Sequence, residues 1–165
     1  MGPGRAAEGE TNLELAHRLI PPTGNNWGEV AKRGAAEAEF LDRVRPLVHP
    51  DFETLWRHSA LPGETRAGLN ATLAALRSIG EAFDELIALP EVYVDLGDRV
   101  LILLTRKGRT VTGDDFAEEG AAMYIFEARQ LRRLELYSDR AIALADAGIT
   151  EAEARERGVP VEDIA

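Results

Sequence analysis

The stretch Phe83–Gly113, FDELIALPEVYVDLGDRVLILLTRKGRTVTG, decides how this chain folds. It reads as two strands around one turn. Phe83 to Asp95 carries β-branched, aromatic and aliphatic residues, Leu96-Gly97-Asp98 interrupts them, and Arg99 to Arg109 resumes the pattern. Successive strand side chains point to opposite sides. Val100, Ile102 and Leu104 therefore share one face, and Leu101, Leu103 and Thr105 the other. Pro90 bends or bulges the first strand, because proline has no N–H for a ladder. VLILL is apolar on both faces, so both faces of the sheet need a cover.

Toward the C-terminus, Val111 to Asp114 turns into a third strand, Phe116 to Ala128. Arg129-Gln130 leads tightly into a fourth, Leu131 to Ser138. Asp139 suits the N-cap of a helix over Arg140 to Ala147, which Gly148 ends. Residues 150–165 carry five acids and two arginines and read as an acidic surface tail with room for a short helix at 150–157. Toward the N-terminus, Leu69, Leu73, Leu76 and Ile79 make the apolar stripe of a helix over Thr65 to Gly80. Ser59 to Glu64 is a loop, and Phe52 to His58 is a short extended segment. A helix over Trp27 to Val48 must end or kink near Arg45, ahead of Pro46. Another, capped by Asn12, presents Leu13, Ala16, Leu19 and Ile20 until Pro21-Pro22 stops it. Residues 1–10 read as a mobile leader. Helices first, then adjacent strands, predict an α+β fold in a single domain over 11–149.

Composition excludes more than it assigns. Of 165 residues, 29 are acidic and 19 basic, a formal charge of −10, with no local basic run. Such a field repels phosphate backbones, so no nucleic-acid partner is expected. Cysteine is absent, which excludes disulfides and thiolate chemistry. No stretch approaches the roughly 18 apolar residues of a membrane span. A soluble cytoplasmic protein without membrane contact is expected. No metal-ligand spacing and no phosphate loop is visible, so neither metal nor cofactor is assigned.

PGETRAG (62–68), the Phe83–Gly113 stretch and FEARQLRRLELYSDRAIALADAGI (126–149) follow one another in order. Together they resemble the nuclear transport factor two-like superfamily, in its SnoaL-like, ketosteroid-isomerase-related branch. The resemblance spans about Pro62 to Ile149. It implies a cone, a cystatin-like α+β roll in which a curved antiparallel sheet wraps the N-terminal helices and leaves an internal cavity. It also implies frequent homodimers through the outer sheet face, which would supply the missing cover over that face. Activities within the superfamily are scattered, so fold alone names no reaction.

Matched to the isomerases, the third strand turns Gly120, Ala122, Tyr124 and Phe126 to the cavity. Ala122 stands where the isomerases keep a protonated carboxylic acid. No aspartate falls at Trp56 or His58, where their base is expected. The epoxide-hydrolase triad is broken as well, with Leu136 in place of its last aspartate. What remains is a pocket of Trp56, Ala122, Phe126, Leu134 and Leu136 with two polar handles. His58 is the candidate base, since imidazole titrates near neutrality. Tyr124 is the candidate donor to a carbonyl or oxyanion. The expectation is a protein that binds a small, largely apolar organic ligand, with isomerase-, cyclase- or dehydratase-type proton transfer open. The alternative is a non-catalytic homodimer that uses the outer sheet face for assembly.

Overall fold

The computed structural model describes residues 9–32, 34–57 and 64–163. His58, residues 59–63 of the loop expected over Ser59 to Glu64, and residues 1–8 of the expected leader lie outside the described residues. The helices are α1 (Asn12–Leu19), α2 (Trp27–Ala31), α3 (Ala35–Val44), α4 (Leu69–Gly80), α5 (Arg140–Ala147) and α6 (Glu151–Arg157). The strands are β1 (Asn25–Asn26), β2 (Val48–Arg57), β3 (Glu64–Ala67), β4 (Phe83–Asp95), β5 (Arg99–Thr110), β6 (Asp115–Glu127), β7 (Gln130–Tyr137) and β8 (Val159–Pro160).

One sheet runs β1-β4-β5-β6-β7-β2-β3, with β8 also on β4. The four long strands read from alternation form the meander β4 to β7. One pairing departs from the antiparallel expectation: β2 runs parallel to β7, with Thr54 opposite Leu134 and Trp56 opposite Leu136. The helix expected over 27–48 is broken. Gly34, at φ +150°, separates α2 from α3, and a 3-10 turn over Arg45–Leu47 takes up Pro46. The cap of α1 is Thr11, one residue before the expected Asn12, with its side chain accepting from the Glu14 N–H.

Pro90 does mark a bulge. The register passes from Pro90 opposite Leu104 to Val92 opposite Leu103, so Glu91 is an extra residue in β4. One added residue inverts the side-chain phase of everything beyond it. Before the bulge Leu86 and Ala88 face the helices. After it Tyr93 does, and Val92 and Val94 face the other way. The inner core gathers Val100, Ile102, Leu104, Ala122, Tyr124 and Phe126 against α1 and α3.

The outer face gathers Val92, Val94, Leu101, Leu103, Ala121 and Met123. The sequence leaves its cover to a second copy of the chain. The structure supplies it from the chain itself: Ala143 and Leu144 of α5 and Ala154 of α6 are buried on it. The segment read as an acidic tail is therefore part of the fold. Its helix α6 carries a capping box between Thr150 and Glu153, and β8 pairs with Val92 and Tyr93 of β4. Seven charged residues in the segment 150–165, around one buried alanine, hid that role from a composition reading. Among the described residues Val111 is the one exposed large hydrophobic side chain.

Glu91, turned outward by the bulge, fastens this cover. It accepts from Thr105 at 2.8 Å and from Arg155 at 3.0 Å, and it pairs with Arg140. Burial pushes the Glu91 carboxyl up, but hydrogen bonds from Arg155, Thr105 and Arg140 outweigh that and leave it below its ordinary value. A carboxyl depressed by folding lends stability that is complete above its unfolded value, about 4.3. That stability is lost as pH falls through the lower folded value. Urea melts between pH 5 and roughly pH 3 should thus show a steeper loss for the wild type than for Glu91→Gln. Parallel slopes would remove Glu91 from the acid response.

Candidate functional site

The cavity arises from the row of side chains that β6 turns inward. Going up the strand these are Glu118, Gly120, Ala122 and Tyr124, small in the middle and large or polar at the ends. The room beside Gly120 is taken by Arg106 and the Tyr137 carbonyl, and the Ala122 methyl below the Tyr124 phenol leaves space that neighbouring elements do not fill. That space has a volume of about 320 Å³. The α4 stripe of Leu69, Leu73, Leu76 and Ile79 forms one wall, and Phe40 and Val44 of α3 form another. Trp56 on β2 and Leu134 and Leu136 on β7 close the far side. Trp27 lies across from Phe40, ring edge to face at 5.2 Å.

Of the residues singled out from the sequence, Tyr124, Trp56, Ala122, Leu134 and Leu136 come together on this lining. Phe126 does not. It packs in the core with Leu131, one step beyond the cavity. His58 lies outside the described residues.

Few polar groups meet the cavity, and most are already occupied. Thr72 shares a hydrogen bond of 2.8 Å with Thr54 and donates to the Gly68 carbonyl. Asn25 donates to the Leu19 carbonyl at 3.2 Å and accepts from Arg43 at 2.5 Å. Arg106 donates to Glu118 at 2.8 Å and to the Tyr137 carbonyl at 3.0 Å. Tyr124 differs. Its residue is 5% exposed, and its hydroxyl has no hydrogen-bond partner among the described residues. Burial raises its pKa well above the ordinary phenol value, against the opposing pull of Arg43 and Arg106. The phenol is therefore a neutral donor throughout the working pH range.

Neither Arg106 nor Glu118 is among the site residues expected from the sequence. The signal was present. Two-residue steps from Tyr124 through Ala122 and Gly120 reach Glu118, and the same steps from Val100 reach Arg106. The two are direct cross-strand neighbours. Burial lowers the Arg106 pKa, and the adjacent Glu118 carboxylate opposes this.

In chemical terms the described lining offers the Tyr124 and Ser138 hydroxyls, neither with a partner among the described residues, one occupied ion pair and an apolar wall. The described histidines lie elsewhere: His17 stands edge-on to Tyr93 at 4.4 Å, and His49 faces Glu127 at 3.1 Å. Among the described residues no three His, Cys, Asp or Glu side chains cluster as a metal site. No helix is long and apolar enough to cross a membrane.

No protein-family model matches the chain, and no curated protein does. Solved structures do. A SnoaL-like polyketide cyclase from a Jannaschia species is similar at TM-score 0.61 and 18% identity, over 87% of this chain and 96% of that one. A nuclear transport factor two-like protein of unknown function from Burkholderia pseudomallei is similar at TM-score 0.60 and 19% identity, over 81% and 95%. A protein from Catenulispora acidiphila with a ketosteroid isomerase-like fold, solved in complex with trimethylamine, is similar at TM-score 0.56 and 15% identity, over 85% and 96%. The fold is that of the nuclear transport factor two-like superfamily, as the sequence resemblance implied.

Proposed function

We propose that this protein binds a small, largely apolar organic molecule in the β6-lined cavity, with Tyr124 donating a hydrogen bond to an oxygen of that molecule. The observation that carries this reading is the unpartnered phenol in a largely apolar space of about 320 Å³. Ligand pockets have this anatomy, an apolar wall with a few placed polar groups. A polar group left unmatched in such a place is expected to find its partner in a ligand. That a structure of the same fold holds trimethylamine supports small-molecule binding by this architecture. The assembly alternative is the weaker one, because α5 and α6 occupy the outer face through which copies would meet.

A proton-transfer reading builds on the same site. Two guanidinium groups near a protonated phenol favour a developing oxyanion. The base would be His58, as the sequence suggests. His58→Ala would then abolish turnover and leave binding intact; an unchanged rate would end that reading.

The binding reading has a built-in reporter, since both tryptophans of the chain, Trp27 and Trp56, line the cavity. Titration with methyl naphthyl ketone should quench their emission to saturation. Tyr124→Phe should weaken binding by about five- to tenfold, the worth of one hydrogen bond near 1 kcal/mol. Ala122→Phe should fill the space and abolish saturable quenching, with stability changed by no more than ~2 kcal/mol. Undiminished binding in Ala122→Phe would place the ligand elsewhere.

A further inference from the structure

The cations around the cavity are not equally provided for. Arg106 has Glu118, and Arg77 on α4 holds Glu37 through two bonds of 2.8 and 2.6 Å. Arg43 on α3 has no carboxylate among the described residues. Its hydrogen bond goes to the neutral amide of Asn25, at 2.5 Å. Its Nε is buried and makes no hydrogen bond. Beneath the guanidinium lies the Phe40 ring, 5.5 Å from its carbon to the ring centre. In a chain with 29 acids to 19 bases, a half-buried cation left without an acid runs against composition. Burial lowers the Arg43 pKa, and no carboxylate among the described residues pairs with the guanidinium to offset it.

The position of Arg43 says where a counter-charge belongs. Arg43 lines an open cleft of about 280 Å³ together with Glu29 and Glu39, neither of which pairs with it, and the cleft shares Asn25 and Phe40 with the apolar cavity. Val44, the next residue of α3, lines the cavity itself. On the cavity side stands the unused Tyr124 hydroxyl, whose ionisation feels the Arg43 charge. A ligand whose apolar body fills the cavity would bring a polar end to this junction. There it would meet one free N–H of Arg43 and one free O–H of Tyr124.

We infer that the ligand is an apolar carboxylic acid, bound as its anion, with the carboxylate accepting from Arg43 Nε and from the Tyr124 hydroxyl while its hydrocarbon part occupies the cavity. This rests on the cavity-binding reading above and adds the ligand's charge. The charge count favours a monoanion. Arg106 is neutralised by Glu118, which leaves one positive charge to match and two donors to satisfy. A phosphate dianion would bring more charge and more acceptors than the junction answers. Charge-assisted hydrogen bonds are the strong ones, and this one forms where water is largely displaced.

The test compares pairs of ligands that share a skeleton: naphthoate with methyl naphthyl ketone, and biphenylcarboxylate with methyl biphenylyl ketone. In each pair a methyl group replaces one carboxylate oxygen, so shape and the carbonyl acceptor are kept. Calorimetric titration of the wild-type protein should show each carboxylate binding at least about tenfold tighter than its ketone, the worth of one charge-assisted hydrogen bond. In Arg43→Gln, which keeps a donor for Asn25, that ratio should fall close to one. Arg43→Lys should recover part of it, because the charge returns without the Nε geometry. If the ketones bind and the carboxylates bind no tighter, the anion inference is overturned and the cavity reading stands. If the preference survives in Arg43→Gln, Arg43 is not the carboxylate's partner and the inference fails. If none of the four ligands binds, the cavity reading falls and takes the inference with it. The wild-type ratio needs no variant, so a poorly folding Arg43→Gln would leave the test intact.

Discussion

Gly120→Ala is expected to destabilise the protein by roughly 3 kcal/mol, at the upper end of overpacking effects. A Cβ at this position would collide with Arg106 Nη1 and would stand 2.6 Å from the Tyr137 carbonyl oxygen. The first obstacle is the head of a side chain that is itself held by Glu118 and by that same carbonyl. The second is main chain of the adjacent strand. Neither can move without breaking a hydrogen bond or spreading β6 from β7. On its other side, the Gly120 carbonyl accepts from Arg140 Nε at 3.2 Å. A shift of this residue therefore loosens the outer cover as well as the cavity. Equilibrium urea unfolding measures the effect directly. Combining Gly120→Ala with Arg106→Met should recover only part of the loss, since the carbonyl obstacle remains. A loss of Gly120→Ala below about 1 kcal/mol would mean that the strand adjusts freely and that glycine is not required.

The second large effect belongs to Arg140. Its side chain is 7% exposed, and it ties α5 to three strands. Nη2 donates to the Leu104 carbonyl at 2.8 Å and to Glu91, and Nε reaches Gly120. Arg140→Met keeps most of the volume but strands a partly buried carboxylate and two main-chain acceptors. Breaking one partner of a buried pair typically costs about 3–5 kcal/mol. For a domain of this size the melting temperature should drop by on the order of 10 °C. Glu91 keeps Arg155 and Thr105, so the loss should sit toward the lower end of that range. Arg140→Lys should rescue little, because one ammonium cannot serve three acceptors in a fork. A melting temperature within about 2 °C of the wild type would show that α5 is held by its apolar face alone.

These two residues show what kind of information lay in the sequence. Gly120 stood in the inward row of β6 by the match to the isomerases, so its place was legible. Its necessity was not, because Arg106 and the Tyr137 carbonyl approach from other strands. Arg140 was legible as the first residue of a helix capped by Asp139, and the structure has that helix with the Asp139 carboxylate accepting from the Ala141 N–H. Gly148 closes it with a left-handed φ of +73°. What Arg140 holds lies 20 to 49 residues away, and no spacing rule reaches that far. For the same reason Glu118 and Arg43 went unread: each takes its meaning from a partner, or the lack of one, on another element.

The sequence alone determined the strands of the meander, which residues share a face of them, the bend at Pro90 and the α+β class. Each is a local property, set by side-chain alternation and by residues that cannot continue a ladder or a helix. The family resemblance added that Ala122, Tyr124, Leu134, Leu136 and Trp56 share the cavity side of the sheet. Only the tertiary structure decided that β2 runs parallel to β7, that α5 and α6 cover the outer face, and that Arg43 lacks an acid while Arg106 has one. Those outcomes depend on which distant segments meet, and so on the competition of every apolar face and charge for partners. Alternation says which way a side chain points. What it meets there is settled when the chain closes on itself.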